Sequence, residues 1–291
     1  MNTGAAWLWL ATFAAAPLAA QEADPPPIIV EGERPQDEKA LTDLARDIAG
    51  QPRADRPLAR FERPLCLMVA AADTALGKEV AERIIDNARR AEVPVRGGRC
   101  KPNALLALSD DAHAQLLDIR KSGKRIFSGL SPRELDAALG ARDPVYVFQA
   151  SETTAANGQA MTKVMPDDQP TNYITAMGRL SRLTREDLLA ALVVVDNAAV
   201  AGLTPVQIAD YATLRLLAPT GEVDVAEAGA DAPRTIMTLF AAPASAPQQM
   251  TRFDRAYLKA LYRMPPGAFA REVLRAAVVD SASTDTDDGD G

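Results

Sequence analysis

The stretch from Leu65 to Leu108 constrains the fold more than any other part of the chain. Leu65 to Ala71 reads LCLMVAA, an apolar run entered from Pro64 and left toward Asp73-Thr74. A strand without polar alternation is one covered on both faces of its sheet. Residues 76–92 follow, with Val80, Ile84, Ile85, Ala88 and Ala91 at helical spacing on one face. Pro94-Val95 and Gly97-Gly98 interrupt the pattern, and 103–108 (NALLAL) is apolar again. Strand, helix and strand in that order predict a parallel pair, because parallel strands need a crossover long enough to hold a helix. The expected fold class is α/β (α+β): a single domain with a mixed β-sheet and helices packed on it.

The remaining elements fit around that unit. Residues 36–50 predict a helix, with Leu41, Leu44, Ala45 and Ile48 as its stripe and Gly50 as its stop. The Pro-rich segment 51–64 is a connection. Helices are expected at 111–121 and 132–140, the second opened by Ser131-Pro132-Arg133-Glu134, a capping box with proline in the first turn. VYVFQAS (145–151) reads as a strand and 152–180 as a polar loop: a lid, a hairpin arm or a disordered excursion. LLAALVVVDNAAV (188–200) is the core strand. Thr204-Pro205-Val206-Gln207 caps a helix reaching about Leu217, whose residues Ile208, Tyr211, Ala212 and Leu216 are expected on the sheet. An acidic loop (221–233), a short element (235–240) and a last helix opening at Thr251-Arg252-Phe253-Asp254, a third cap signal, complete the domain. That helix is expected to bury Tyr257, Leu258, Leu261 and Tyr262. The domain is assigned to residues 36–279.

Both termini read differently. Ala5 to Ala16 is apolar and uncharged, shorter than the ~20 residues that span a bilayer, and Pro17 and the small residues Ala19-Ala20 follow it. Residues 1–20 are therefore read as a cleavable signal peptide with Gln21 as the mature N-terminus, although the leading segment lacks Lys and Arg and position −3 is Leu18. The other reading is a buried N-terminal helix. Residues 21–35 are a linker (QEADPPP) and a short strand (IIVEG, 28–32). No Cys flanks the cleavage site and no twin Arg precedes it, so neither lipid attachment nor the twin-arginine route is indicated. Residues 280–291 (DSASTDTDDGDG) form a disordered acidic tail with no calcium-loop Glu. The net charge of −7 falls to −2 without the five tail Asp. A nearly neutral body offers no electrostatic case for nucleic acid or for an anionic membrane. No later run reaches spanning length. The localisation expected is periplasmic or secreted. There, Cys66 and Cys100, the two cysteines of the chain, pair as a disulfide; the alternative is two buried thiols.

Catalytic chemistry is scarce. His113 is the single histidine, and zinc hydrolases draw on two or three. It lies beside Asp110 and Asp111 and reads as an exposed helix residue. There is no Gly-x-Ser-x-Gly elbow, no Ser-x-x-Lys and no glycine-rich phosphate loop. Ser122-Gly123-Lys124 has the wrong spacing for a Ser–Lys dyad. Paired carboxylates need no histidine, and Asp196 at the end of the core strand and Asp210 on the next helix are the candidates. Strand ends and helix starts also carry Asp for capping.

A wider pattern emerges from IIVEGERP, the Cys66 strand, Cys100-Lys101-Pro102-Asn103, Ser181-Arg182-Leu183, VVVDNAAVAG, GLTPVQIADYATLRLLA, TIMTLF and FDRAYLKALY. Together these resemble an uncharacterised family of secreted alphaproteobacterial proteins. A weaker likeness is to a bacterial family of zincin-like putative metallopeptidases, whose helix carries a His-Glu-x-x-Gln-type motif. Here Ala209 stands at the His position, Asp210 at the Glu position and Thr213 at the second ligand position. That resemblance implies a metal-less, degenerate copy, a pseudoenzyme. The expectation is a non-catalytic envelope protein that binds or scaffolds an unknown envelope protein or ligand, with no cofactor, no metal and no membrane span. The rival is a hydrolase around Asp196 and Asp210, carboxylate-based or diverged from a zincin-like peptidase.

Overall fold

A computed structural model describes residues 38–123, 125–127, 130–161, 182–223 and 233–282. The signal peptide, the 28–32 strand, the far part of the 152–180 loop, most of the acidic loop and the tail beyond Ala282 lie outside the described residues. The chain is α/β, with a four-stranded mixed sheet and helices on it.

Strand β1 (Leu67–Ala70), helix α2 (Thr74–Arg90) and strand β2 (Ala104–Ser109) follow helix α1 (Glu38–Ile48), and β1 and β2 pair in parallel, as the crossover demands. Helices α3 (Ala112–Lys121) and α4 (Pro132–Ala138) flank a 3₁₀ turn at Arg125–Phe127. Strand β3 (Val145–Ala155) then precedes β4 (Thr184–Asp196). The order across the sheet is β1-β2-β4-β3, with β4 parallel to β2 and antiparallel to β3. Helices α5 (Pro205–Leu217), α6 (Arg252–Arg263) and α7 (Ala270–Ala282) complete the described residues.

Strand periodicity divides the core in two. Ala191, Val193 and Val195 of β4, with Ala104, Leu106 and Leu108 of β2, face the larger side, built by α1, α2, α5, α6 and α7. Leu192 and Val194, with Ala107, Tyr146 and Phe148, face the smaller side under α3, the 3₁₀ turn and α4. Phe127 and Phe148 meet there edge to face at 4.8 Å.

Helix α5 departs from the one-sided reading. Every residue from Gln207 to Leu217 is buried, so the helix has no solvent face. Such a helix must have its polar groups answered by neighbours. The Thr204–Gln207 capping box closes its start, and Gln207 Nε2 also donates to Pro247 O at 3.1 Å. At its end, Gln149 Nε2 donates to the carbonyls of Arg215 and Ala218, Tyr262 to Leu217 O and Tyr257 to Pro219 O, each at 2.8 Å. Burial of these two tyrosines pushes both phenols well above their ordinary range. The C-terminus of α6 is answered in turn by Arg60, which donates to Leu261 O at 2.7 Å and Met264 O at 2.6 Å.

Helix α1 is held by contact of backbones. Gly50, at φ +70°, ends it, and Gly221 N donates to Ile48 O at 2.8 Å. A Cβ on Gly221 would stand 2.5 Å from Gly50 Cα. Cys66 and Cys100 are disulfide-bonded, with Cα atoms 6.1 Å apart, inside the range a bridge requires.

Candidate functional site

Open α/β sheets bind ligands beyond the carboxyl ends of parallel strands, where successive connections leave toward opposite faces. This sheet has such a place. The connections after β1 and β4 lead to α2 and α5 on the larger side, while that after β2 leads to α3 on the smaller side. Asp196, at the end of β4, stands here opposite Ser109. Asp73, Asp110, Asp111 and Asp143 belong to the same edge, because β3 runs the other way and begins where its neighbours end.

Most of these carboxylates are engaged as local caps. Asp73 accepts from Ala75 N at 2.8 Å and Leu76 N at 3.1 Å at the start of α2. Asp111 accepts from Ala114 N at 2.9 Å at the start of α3. That bond, with Arg142 Nη1 3.7 Å away, lowers the Asp111 carboxyl below its ordinary range. Asp110 accepts from Asn197 Nδ2 at 2.6 Å, and Asp196 accepts from Ala198 N at 3.0 Å. The half-buried Asp196 thus turns the chain out of β4 toward α5.

Asp210 is placed elsewhere, in the interior between α2 and α5. It is 0% exposed and takes four hydrogen bonds: Arg83 Nε at 2.8 Å, Arg83 Nη2 at 3.0 Å, Asn87 Nδ2 at 2.7 Å and Met250 N at 2.7 Å. Asn87 also donates to Thr213 Oγ1, which itself donates to Ala209 O at 2.7 Å. The bidentate bond that Arg83 donates to Asp210 raises the guanidinium above its ordinary range. Asp196 and Asp210, paired in the sequence reading, share no donor. The positions of the metallopeptidase likeness, Ala209, Asp210 and Thr213, all lie in this packed interior.

His113 differs from the exposed residue expected. It is half-buried, its Nε2 donates to Leu139 O at 2.8 Å, and it ties α3 to the end of α4. Its ring lies 6.3 Å from that of Tyr146. Among the described residues no three His, Cys, Asp or Glu side chains converge in a metal-holding group.

Three polar centres escaped the sequence reading. Asp254, 0% exposed, accepts from Thr235 Oγ1 at 2.6 Å, Ile236 N at 2.9 Å and Thr251 N at 2.9 Å. All three donors are neutral, and burial raises its carboxyl above the ordinary range. Arg215, with a side chain only 3% exposed, donates to Tyr211 Oη at 2.9 Å and to Glu222 Oε1 at 2.8 Å. Near the start of β4, Arg60, Glu62, Arg185 and Asp187 form a chain of ion pairs. Arg185 Nη2 donates to Asp187 Oδ2 at 2.9 Å, while Asp187 Oδ1, 2.8 Å from Arg185 Nε, has charge contact only. Of these three, only the Thr251–Asp254 spacing left a local trace, as a helix cap. The other partners come from segments far apart in the chain.

No family model matches this chain, and no curated protein or solved structure matches it either.

Proposed function

We propose that the chain is an exported, disulfide-bonded, non-catalytic protein of the bacterial envelope, periplasmic or secreted, that binds or scaffolds an envelope partner or ligand. The observation that carries this reading is Asp210, the deepest candidate catalytic carboxylate. Its two oxygens are taken up by Arg83, Asn87 and Met250 N, which leaves it acting as a bolt between α2 and α5. Carboxylate catalysis needs one group free to take or give a proton at a substrate atom. The Ala209-Asp210-Thr213 triplet accordingly reads as a pseudoenzyme remnant.

Export rests on the N-terminal sequence and agrees with the disulfide. No helix among the described residues is long and apolar enough to cross a membrane. Mass spectrometry of the exported protein is expected to find Gln21, or a residue within a few positions of it, at the N-terminus; intact Met1 overturns export. Crosslinking in the native envelope followed by affinity capture is expected to retain one reproducible partner.

One observation favours the rival hydrolase: Asp196 stands where α/β sheets place their ligands. Asp196→Asn separates the readings. Turnover of an envelope glycan or peptide substrate by the wild type, abolished in the folded variant, overturns the non-catalytic assignment.

A further inference from the structure

Among the described residues, strand β1 is an edge of the sheet with one side unpaired. The Cys66 carbonyl accepts from Asn103 N at 3.1 Å and Ala104 N at 3.3 Å. Alternate residues of a strand point their backbone groups to the same side, so Leu67 and Val69 face away from β2. On that outer side Leu65 is engaged by the next segment: its N–H donates to Pro94 O at 2.7 Å and its carbonyl accepts from Arg96 N at 2.9 Å. Among the described residues nothing pairs with Leu67 or Val69 there. Met68, between them, is 44% exposed. Natural edges are commonly guarded by charge, proline or a bulge; LMVA has none of these.

The two ends of β1 carry opposite charge. At its start, the Leu65–Val95 bridge and the Cys66–Cys100 disulfide gather Arg63, Arg96, Arg99 and Lys101, all exposed. At its finish lie Asp73, exposed and capping α2, and the aspartates of the carboxyl edge.

We propose that the chain self-associates as a two-fold dimer through antiparallel pairing of β1 with β1 of a second copy. The axis passes beside Met68. Leu67 of one copy lies opposite Val69 of the other, so the outward N–H and C=O groups of both residues are satisfied and the sheets join into one. Met68 packs on its own counterpart at the axis. The antiparallel sense sets the basic start of each strand against the acidic finish of the other, twice by symmetry. A parallel pairing would oppose like charges. The Pro94–Arg96 segment, already on the edge at Leu65, ends the open stretch and limits the register.

Sedimentation equilibrium of the purified chain over a concentration series is the test. A concentration-dependent dimer that weakens with salt is expected. Met68→Lys and Met68→Glu are each expected to raise the dimer Kd about tenfold or more, since each opposes like charges across the axis. Mixing the two variants restores association as a heterodimer. Circular dichroism checks that each variant remains folded. If either fails to fold, wild-type protein mixed from isotopically light and heavy copies is treated with a zero-length crosslinker. Mixed-isotope links from Lys101 to an Asp of the carboxyl edge are then expected. A monomer at every concentration, a dimer indifferent to both Met68 variants, or crosslinks confined to single copies overturns the proposal.

Discussion

Asp210 and Asp254 are both wholly buried, yet one faces a guanidinium and the other only neutral donors. Asp210→Ala strands Arg83, Asn87 and Met250 N together and is expected to cost about 3–5 kcal/mol, the range for breaking a buried pair. Urea unfolding measures it. Glu272 and Asp254 give opposite pH signatures. Hydrogen bonds from Arg182 lower Glu272, at the start of α7, from 4.5 to about 2. Its contribution is complete above pH 4.5 and is lost as pH falls toward 2. Glu272→Gln should flatten that acid limb, and high salt should weaken the limb because the pair is partly exposed. Asp254 is raised from 3.8 by burial, so the folded state holds its proton more tightly than the unfolded chain. Its effect is most favourable below pH 3.8 and declines as pH rises through its folded pKa. Asp254→Asn should remove that decline in melting temperature recorded against pH. None of this was legible in Asp210 alone: a carboxylate on a helix reads the same whether its donors are a substrate or an arginine far back in the chain.

At the scale of elements, patterned burial was legible and polar pairing was not. The apolar stripe of α2 and the three capping boxes were visible because each is set by residues within one or two turns. The β3–β4 pairing runs further than its apolar residues do. Beyond a bulge at Ala150/Ser151, Glu152 and Thr153 pair with Asp187 and Glu186, in a polar stretch that reads as loop. Helix α7 was not foreseen, although Val273, Leu274, Ala277 and Val278 give it a buried face; the Pro265-Pro266-Gly267 break ahead of it masks the continuation. Helix α5 was foreseen in position but not in burial, since a helix enclosed on all sides has no polar face to mark its surroundings. The meeting of α1 with the chain after α5 depends on Gly221, where a methyl would press on Gly50 backbone. Gly221→Ala is expected to destabilise the protein by about 1–3 kcal/mol, as overpacking does, and to raise amide exchange in α1 before that in the sheet.

For the molecule as a whole, the disulfide joins the start of β1 to the approach of β2, closing 34 residues that contain α2. Cys66→Ser with Cys100→Ser is expected to lower stability by about 3–4 kcal/mol in the chain-entropy model, measured by urea unfolding of oxidised wild type against the double variant. The mixed sheet also sets an order of events. Of its two inner strands, β4 is the later, the last strand among the described residues, and it is the one both β2 and β3 require as a neighbour. Before β4 emerges, β1 and β2 can pair only with each other, and the buried faces of β2 and β3 have no common core. Distant pairing of this kind slows folding and leaves apolar surface open in the meantime. A chain built in this order leaves the two sides of its core unjoined until β4, more than halfway along the sequence, has been made.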